Sequence, residues 1–196
     1  MPRRGGLTTS GELALVGISH PGWSRQREDD HVRVTQTVTF LEMTSPEQLR
    51  PARLAPTPVE VLPTHDLTLI RAVHDRVAQP HDWSGLRWSD DRWADELARP
   101  SARYWVAWLE DEPVGLLALN TPDGCCEIDV FGLVPERVGQ GLGGQFLTIA
   151  IRLAWDTGAT RVWLHTSSLD HPHALRNYEA RGFRAYRTEA REGEVR

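Results

Sequence analysis

The chain has 196 residues, 40% of them apolar and 25% charged, which suits one soluble domain with a sizeable core and leaves little room for a second. A net charge of −5 argues against a general polyanion binder, because nucleic-acid-binding domains carry a basic surplus. No run approaches the ~18 apolar residues of a membrane helix, and Leu13–Ile18 is too short and Gly-broken for a secretory signal, so the expectation is a cytoplasmic protein that binds neither membrane nor nucleic acid.

All 22 basic residues are arginine, which excludes catalytic lysine chemistry and a Walker A site. The two cysteines, Cys125 and Cys126, are adjacent. Neighbours on a strand point to opposite faces, so they are read as small buried hydrophobes and not as a disulfide.

In chain order, residues 1–30 are rich in Gly, Ser and Arg and lack periodicity. They read as a poorly ordered leader ahead of a single domain over residues 31–190. Residues 32–43 are dense in β-branched side chains and alternate, which predicts a strand with one wet face near a sheet edge. Ser45-Pro46 starts a short turn, and Val59–Leu62 is a second strand. Asp66 caps a helix whose stripe is Leu67, Ile70, Val73, His74 and Val77, and Pro80 ends it. Ser89 begins another helix, with Trp93 and Leu97 on one face. Tyr104–Leu109 and Val114–Leu119 form an internal hairpin, and a strand follows over residues 125–134. After a glycine-rich loop comes a helix over Gln145–Asp156, which Gly158 ends. Thr160–Thr166 is a strand, Asp170 is expected to cap a last helix, and Phe183–Tyr186 closes the sheet. This order describes one α/β domain with a mixed sheet and helices on both faces.

The stretch from Val134 to Gly144 lies between a strand and a helix. Its glycines let backbone N–H groups converge where the helix dipole adds positive charge, which makes it a candidate phosphate cradle. A dinucleotide-binding unit would place an acidic residue near the end of the next strand. That strand ends in His165 and Thr166, and the glycine spacing fits poorly, so a nucleotide-cofactor oxidoreductase is the weaker reading.

Pro135–Gly144 resembles the acetyl-CoA pyrophosphate loop of the GCN5-related N-acetyltransferases (GNAT), written Q/R-x-x-G-x-G/A. Ala174-Leu175-Arg176-Asn177-Tyr178-Glu179-Ala180-Arg181-Gly182-Phe183 is similar to that family's A-x-x-x-Y-x-x-x-G-F segment. The two segments stand at the family's separation, on a matching order of elements from Val59 to Tyr186. The resemblance implies a mostly antiparallel central sheet (α+β) and transfer of acetyl from acetyl-CoA, without a metal, to an amine in a ternary complex. The acceptor is a small-molecule or protein amine, and the enzyme a monomer or homodimer. The alternative on the same fold is a non-catalytic acyl-CoA-binding module.

The resemblance also implies site residues. Cosubstrate contacts fall on Leu133, Val134, Val138, Gly139, Gln140, Gly141, Leu142, Gly143, Gly144 and His171. Val138 stands where the family has Gln or Arg, so most of that contact must come from backbone N–H groups, and His171 stands where the family often has Asn. Tyr178 is the expected acid for the leaving thiolate, and Glu127 the expected base, with Asp129 as the other carboxylate on that strand. Gly132 is the expected site of a strand bulge. His165 is a candidate proton relay. The spacing of His165, His171 and His173 matches no metal signature. Trp83, Trp88 and Trp93 read either as core or as an acceptor wall. The family closes with two strands where this chain has room for one, and residues 32–43 are expected to fill the vacant edge.

Overall fold

The structure, a computed structural model, describes residues 32–195. The leader expected over residues 1–30 lies outside them. Among the described residues no helix is long and apolar enough to cross a membrane.

Seven strands form one sheet: β1 (Val32–Met43), β2 (Glu60–Thr64), β3 (Ala102–Leu109), β4 (Glu112–Asn120), β5 (Cys125–Leu133), β6 (Arg161–Ser167) and β7 (Arg184–Val195). Their spatial order is β2-β3-β4-β5-β6-β1-β7. Every neighbouring pair is antiparallel except β5 and β6. The helices are α1 (Leu67–Ala78), α2 (Asp90–Leu97), α3 (Leu142–Asp156) and α4 (Ala174–Ala180). This is the α+β architecture expected.

Local chemistry sets most of the boundaries. Asp66 accepts from the N–H groups of Thr68 and Leu69 at 2.9 and 3.1 Å and starts α1. Ser89 does the same for α2 through Arg92 N–H at 3.2 Å. Gly158, at φ 81°, ends α3. Pro63 cannot donate to a ladder, and it sits on the edge strand β2.

Two glycines show that α1 and α3 cover opposite faces. A Cβ on Gly132 would meet Val77 of α1 at 2.4 Å, and one on Gly115 would meet Phe146 of α3 at 3.0 Å. Gly132 pairs with Leu116, the residue next to Gly115, so the two glycines point to opposite sides. Between sheet and helices lie Leu116, Leu117, Phe146, Leu147 and Leu164, all essentially sealed from water. Each such side chain contributes about 1.5–3 kcal/mol. Both cysteines are free, and burial pushes the Cys126 thiol up to about 11.

Strand β1 joins the sheet but not at its edge. It lies between β6 and β7, pairing Val38–Met43 with β6 and running along β7 for almost its whole length. Phe40, Leu41 and Met43 are therefore all buried, so this half of the strand has no wet face. The closing strand β7 is the edge, and it runs on to Val195 because β1 is long enough to partner it.

Candidate functional site

Strands β5 and β6 are neighbours only briefly. Cys125–Glu127 pair with Arg161–Trp163, after which, among the described residues, β6 keeps only β1 on its other flank and β5 keeps only β4. From Ile128 onward one side of β5 has no strand partner, and a cleft opens there. The bulge is at Asp129: Ile128 faces Leu119 and Val130 faces Ala118, leaving Asp129 as the extra residue. Gly132 is instead in register, and its missing side chain makes room for Val77. Four consecutive residues, Ile128–Phe131, line a cavity of about 470 Å³. A regular strand would present only alternate side chains to it.

The glycine-rich loop leads from β5 into α3. Val134 is buried, and its N–H donates to Val114 at 2.9 Å. Gly139 and Gly141 have φ of 82° and 80°, and a Cβ on either would meet nothing within 4 Å. Both need glycine for conformation and stand in open space. Gly141 occupies the N-cap of α3 without a capping side chain, so the first-turn N–H groups have no side-chain acceptor. Gly143 is in ordinary contact with Leu133 and Asn177, whereas a Cβ on Gly144 would strike Arg181 at 2.6 Å. Leu142 turns into the core, so only its backbone faces the loop. Gln140 Nε2 donates to Glu136 O at 2.7 Å. Val138 is 38% exposed, and the neighbouring Arg137 is paired with Glu112. An uncapped helix N-terminus behind an open glycine turn fits a pyrophosphate held by backbone N–H groups.

Tyr178 lines the cavity from α4, packed against Phe131 and Phe183 with ring centroids at 6.2 and 6.3 Å. Its hydroxyl makes no hydrogen bond among the described residues. Burial, helped by the charge of Asp170, raises its pKa far above that of an ordinary phenol, so it keeps its proton. Glu127 stands behind the wall, with Oε1 3.5 Å from Nδ1 of His165, which does line the cavity. That pairing raises the His165 pKa against the opposing effect of burial. Asp129 is exposed and opens onto the cavity. Desolvation, then Glu127 and Glu96, push its carboxyl up to about 6.

Asp170 does not cap α4, whose N-cap is His173. Its carboxylate accepts from Thr166 Oγ1 and Ser167 N, both at 2.8 Å, and from Trp83 Nε1 at 3.0 Å. It thereby ties an aromatic wall to the end of β6. Trp88 and Trp93 continue that wall with ring centroids 5.0 Å apart. His171 accepts from His173 N–H at 3.2 Å, and its ring centroid lies 6.5 Å from that of His81. Among the described residues no group of three or more His, Cys, Asp or Glu could hold a metal ion.

Sequence reasoning had not singled out Glu96, Tyr104 or His74 as site residues, yet all three line the cavity. Glu96 carried a signal: it lies three residues after Trp93, on the buried face of α2. Tyr104 carried none beyond its place in a strand.

Residues 70–183 match the profile of the Acetyltransferase (GNAT) family. Among solved structures, a GCN5-related N-acetyltransferase from Sphaerobacter thermophilus is 16% identical, with TM-score 0.63, over 85% of this chain and 53% of its own. One from Kribbella flavida is 20% identical, with TM-score 0.59, over 83% and 58%. A functionally unknown conserved protein from Staphylococcus epidermidis is 17% identical, with TM-score 0.61, over 81% and 61%. The chain thus spans between 53% and 61% of the length of these structures, and the likeness is one of fold. No curated protein matches.

Proposed function

Because the chain belongs to the GNAT acetyltransferase family, we propose that it transfers an acetyl group from acetyl-CoA to an amine, with donor and acceptor bound together. The observation that carries this reading is the parting of β5 from β6, which opens a cavity lined by Tyr178 and His165. The uncapped start of α3 supports it. Backbone N–H groups of Gly139, Gln140, Gly141, Leu142 and Gly143 would hold the pyrophosphate. The edge of Leu133 away from β4, and the chain through Val134, would run beside the pantetheine arm, with His171 toward its end. Bound acetyl-CoA supplies the activated carbonyl carbon.

The chain's own residues handle the protons. An acceptor amine enters as its ammonium and must lose a proton to become a nucleophile. His165 takes that proton at Nε2, and Glu127 at Nδ1 holds the ring and stabilises its charged form. Tyr178 carries a proton at its hydroxyl for the departing sulfur. Burial keeps the phenol protonated, so its hydroxyl can hydrogen-bond to the sulfur as negative charge develops there.

The test is release of free thiol from acetyl-CoA across a panel of amines. Tyr178→Phe should lower kcat about 10-fold or more, with acetyl-CoA affinity unchanged. An unchanged kcat removes Tyr178 from the mechanism. Acetyl-CoA binding with no thiol released for any amine would make the chain a binding module. Absent acetyl-CoA binding, with NAD bound instead, would overturn the family's chemistry for this chain.

A further inference from the structure

The acyl-transfer reading leaves the acceptor open, and the following inference, which rests on that reading, concerns its charge. The cavity wall carries four carboxylates, Asp82, Glu96, Asp129 and Asp170, against one guanidinium, Arg87. Arg87 Nη1 lies 2.7 Å from Asp82. Asp170 is held by its three donors. Glu96 and Asp129 differ from these. Glu96 is only 6% exposed; its Oε1 accepts from Arg99 at 2.5 Å, and its second oxygen has no hydrogen bond among the described residues. Asp129 has no hydrogen bond or ion pair among them at all. Tyr104, also buried, turns toward the same two groups a hydroxyl without a hydrogen bond among the described residues.

The three groups feel one another. Burial first, then Glu96 and Asp129, raise the proton affinity of Tyr104, and burial, Glu127 and Glu96 raise that of Asp129, with Arg99 opposing both. Around Asp129 the carboxylates Glu96 and Glu127 act with it against two cationic partners, Arg99 and His165, so this end of the cavity is short of positive charge. Aromatic rings stand on the same wall. Trp88 and Trp93 pack together, and the ring centroid of His74 lies 4.8 Å from that of Trp93. Burial keeps the His74 pKa low, so it supplies no cation. Aromatic faces beside carboxylates attract an organic cation and repel an anion.

We propose that the acceptor is a dication: a primary amine that becomes acetylated, joined by a few carbons to a second positive group that Glu96 and Asp129 hold against Trp88 and Trp93. In the transfer the C–N bond forms as the C–S bond breaks. One ammonium proton goes to His165 before attack, the sulfur takes the Tyr178 proton as it leaves, and the second proton of the attacking nitrogen, released as the amide forms, restores the Tyr178 phenol. The acetylated nitrogen becomes a neutral amide, so the second charge alone continues to bind this wall. Among the described residues the one guanidinium of the wall, Arg87, is already Asp82's partner, so a carboxylate in place of the second cation finds repulsion.

Two sources share this chemistry, an alkyl diamine and a basic peptide. The test is calorimetric titration of the full chain, with coenzyme A present, using three probes of similar length: 1,4-diaminobutane, butylamine and 4-aminobutanoate. The diamine should bind about 10-fold or more tightly than butylamine, and the aminobutanoate most weakly. Glu96→Gln and Asp129→Asn should each narrow the gap between diamine and butylamine while coenzyme A affinity stays constant. Two variants are used because Glu96 also anchors Arg99. Equal affinities for diamine and butylamine, or tighter binding of 4-aminobutanoate, overturn the proposal, as do variants that leave the gap intact. Lysyl-arginine amide as a fourth probe separates the sources: binding tighter than the diamine assigns the dication to a peptide, weaker binding to a small molecule. The readout is binding and not turnover, so a chain that binds diamine selectively yet acetylates nothing would lose the acyl-transfer reading, and with it the role of acceptor, and keep only the dication site on this wall.

Discussion

The glycine loop and the aromatic–acidic wall border the same region but are built in opposite ways. The loop works through main chain: Gly139 and Gly141 at positive φ, and the uncapped start of α3. Its side chains point elsewhere, Leu142 into the core and Val138 toward solvent. The wall works through side chains, Trp83, Trp88, Trp93, Glu96, Tyr104 and Asp129, carried on several elements and tied down by Asp170. A backbone-built site tolerates any sequence that keeps its dihedrals. A side-chain-built site changes with each substitution. One chain can thus hold a constant donor and let its acceptor drift.

Four substitutions probe that contrast. The largest effect should come from Gly141→Val. A β-branched residue at φ 80° costs about 1–3 kcal/mol, on the order of 10–100-fold in acetyl-CoA affinity by calorimetry. Unchanged affinity would mean that the loop's conformation is not what binds. Next is Glu127→Gln, which removes the group that raises the His165 pKa. We expect kcat to fall about 10-fold. The rising limb of the pH–rate profile should move to lower pH, because a free His165 loses its proton sooner; a limb that stays in place would detach the pair from catalysis.

Asp129→Asn should act on stability with a sign that follows from its pKa. The folded carboxyl titrates at about 6, above the ~3.9 of an unfolded chain. The folded state therefore binds the extra proton in between, and the stability this contributes is present at low pH and lost as pH rises through about 6. Because Asp129 is exposed, solvent screens much of this effect, so the variant should melt only roughly 1–3 °C higher than the parent at pH 8 and no higher at pH 4. A gain equal at both values would have another cause. The smallest effect belongs to Val138→Ala, which should alter acetyl-CoA affinity by less than about 2-fold. A larger loss would show that this exposed side chain, and not only the backbone around it, touches the cosubstrate.

The same contrast decides what the sequence reveals. The loop, Tyr178 and the Gly182-Phe183 turn are legible because each is a local pattern of conformation and spacing. Glu127 and His165 are both visible singly, but their pairing depends on the short parallel register of Glu127 with Trp163. Asp170 reads locally as a helix cap. In the fold its carboxylate meets Trp83, 87 residues away, and those partners win. Gly132 looks like a bulge because glycine favours one, yet it is conserving space for α1 while Asp129 makes the bulge. The alternation in residues 32–43 suggests a wet edge because strand order is not written in any one strand. Only the length of β7 and the unpaired flank of β6 explain why β1 lies between them.

That insertion has a kinetic side. Strand β1 holds the far flank of β6, and Thr35 meets Glu192 across 157 residues of chain. Contacts of such separation form late, because a long loop must close before they return any energy. Until β1 reaches β6, the strand that carries His165 has only its brief pairing with β5 to position it. The proton-handling side of the cleft is therefore the last part of the molecule to be assembled. A slow refolding phase should report its completion, with the glycine loop and α3 already in place.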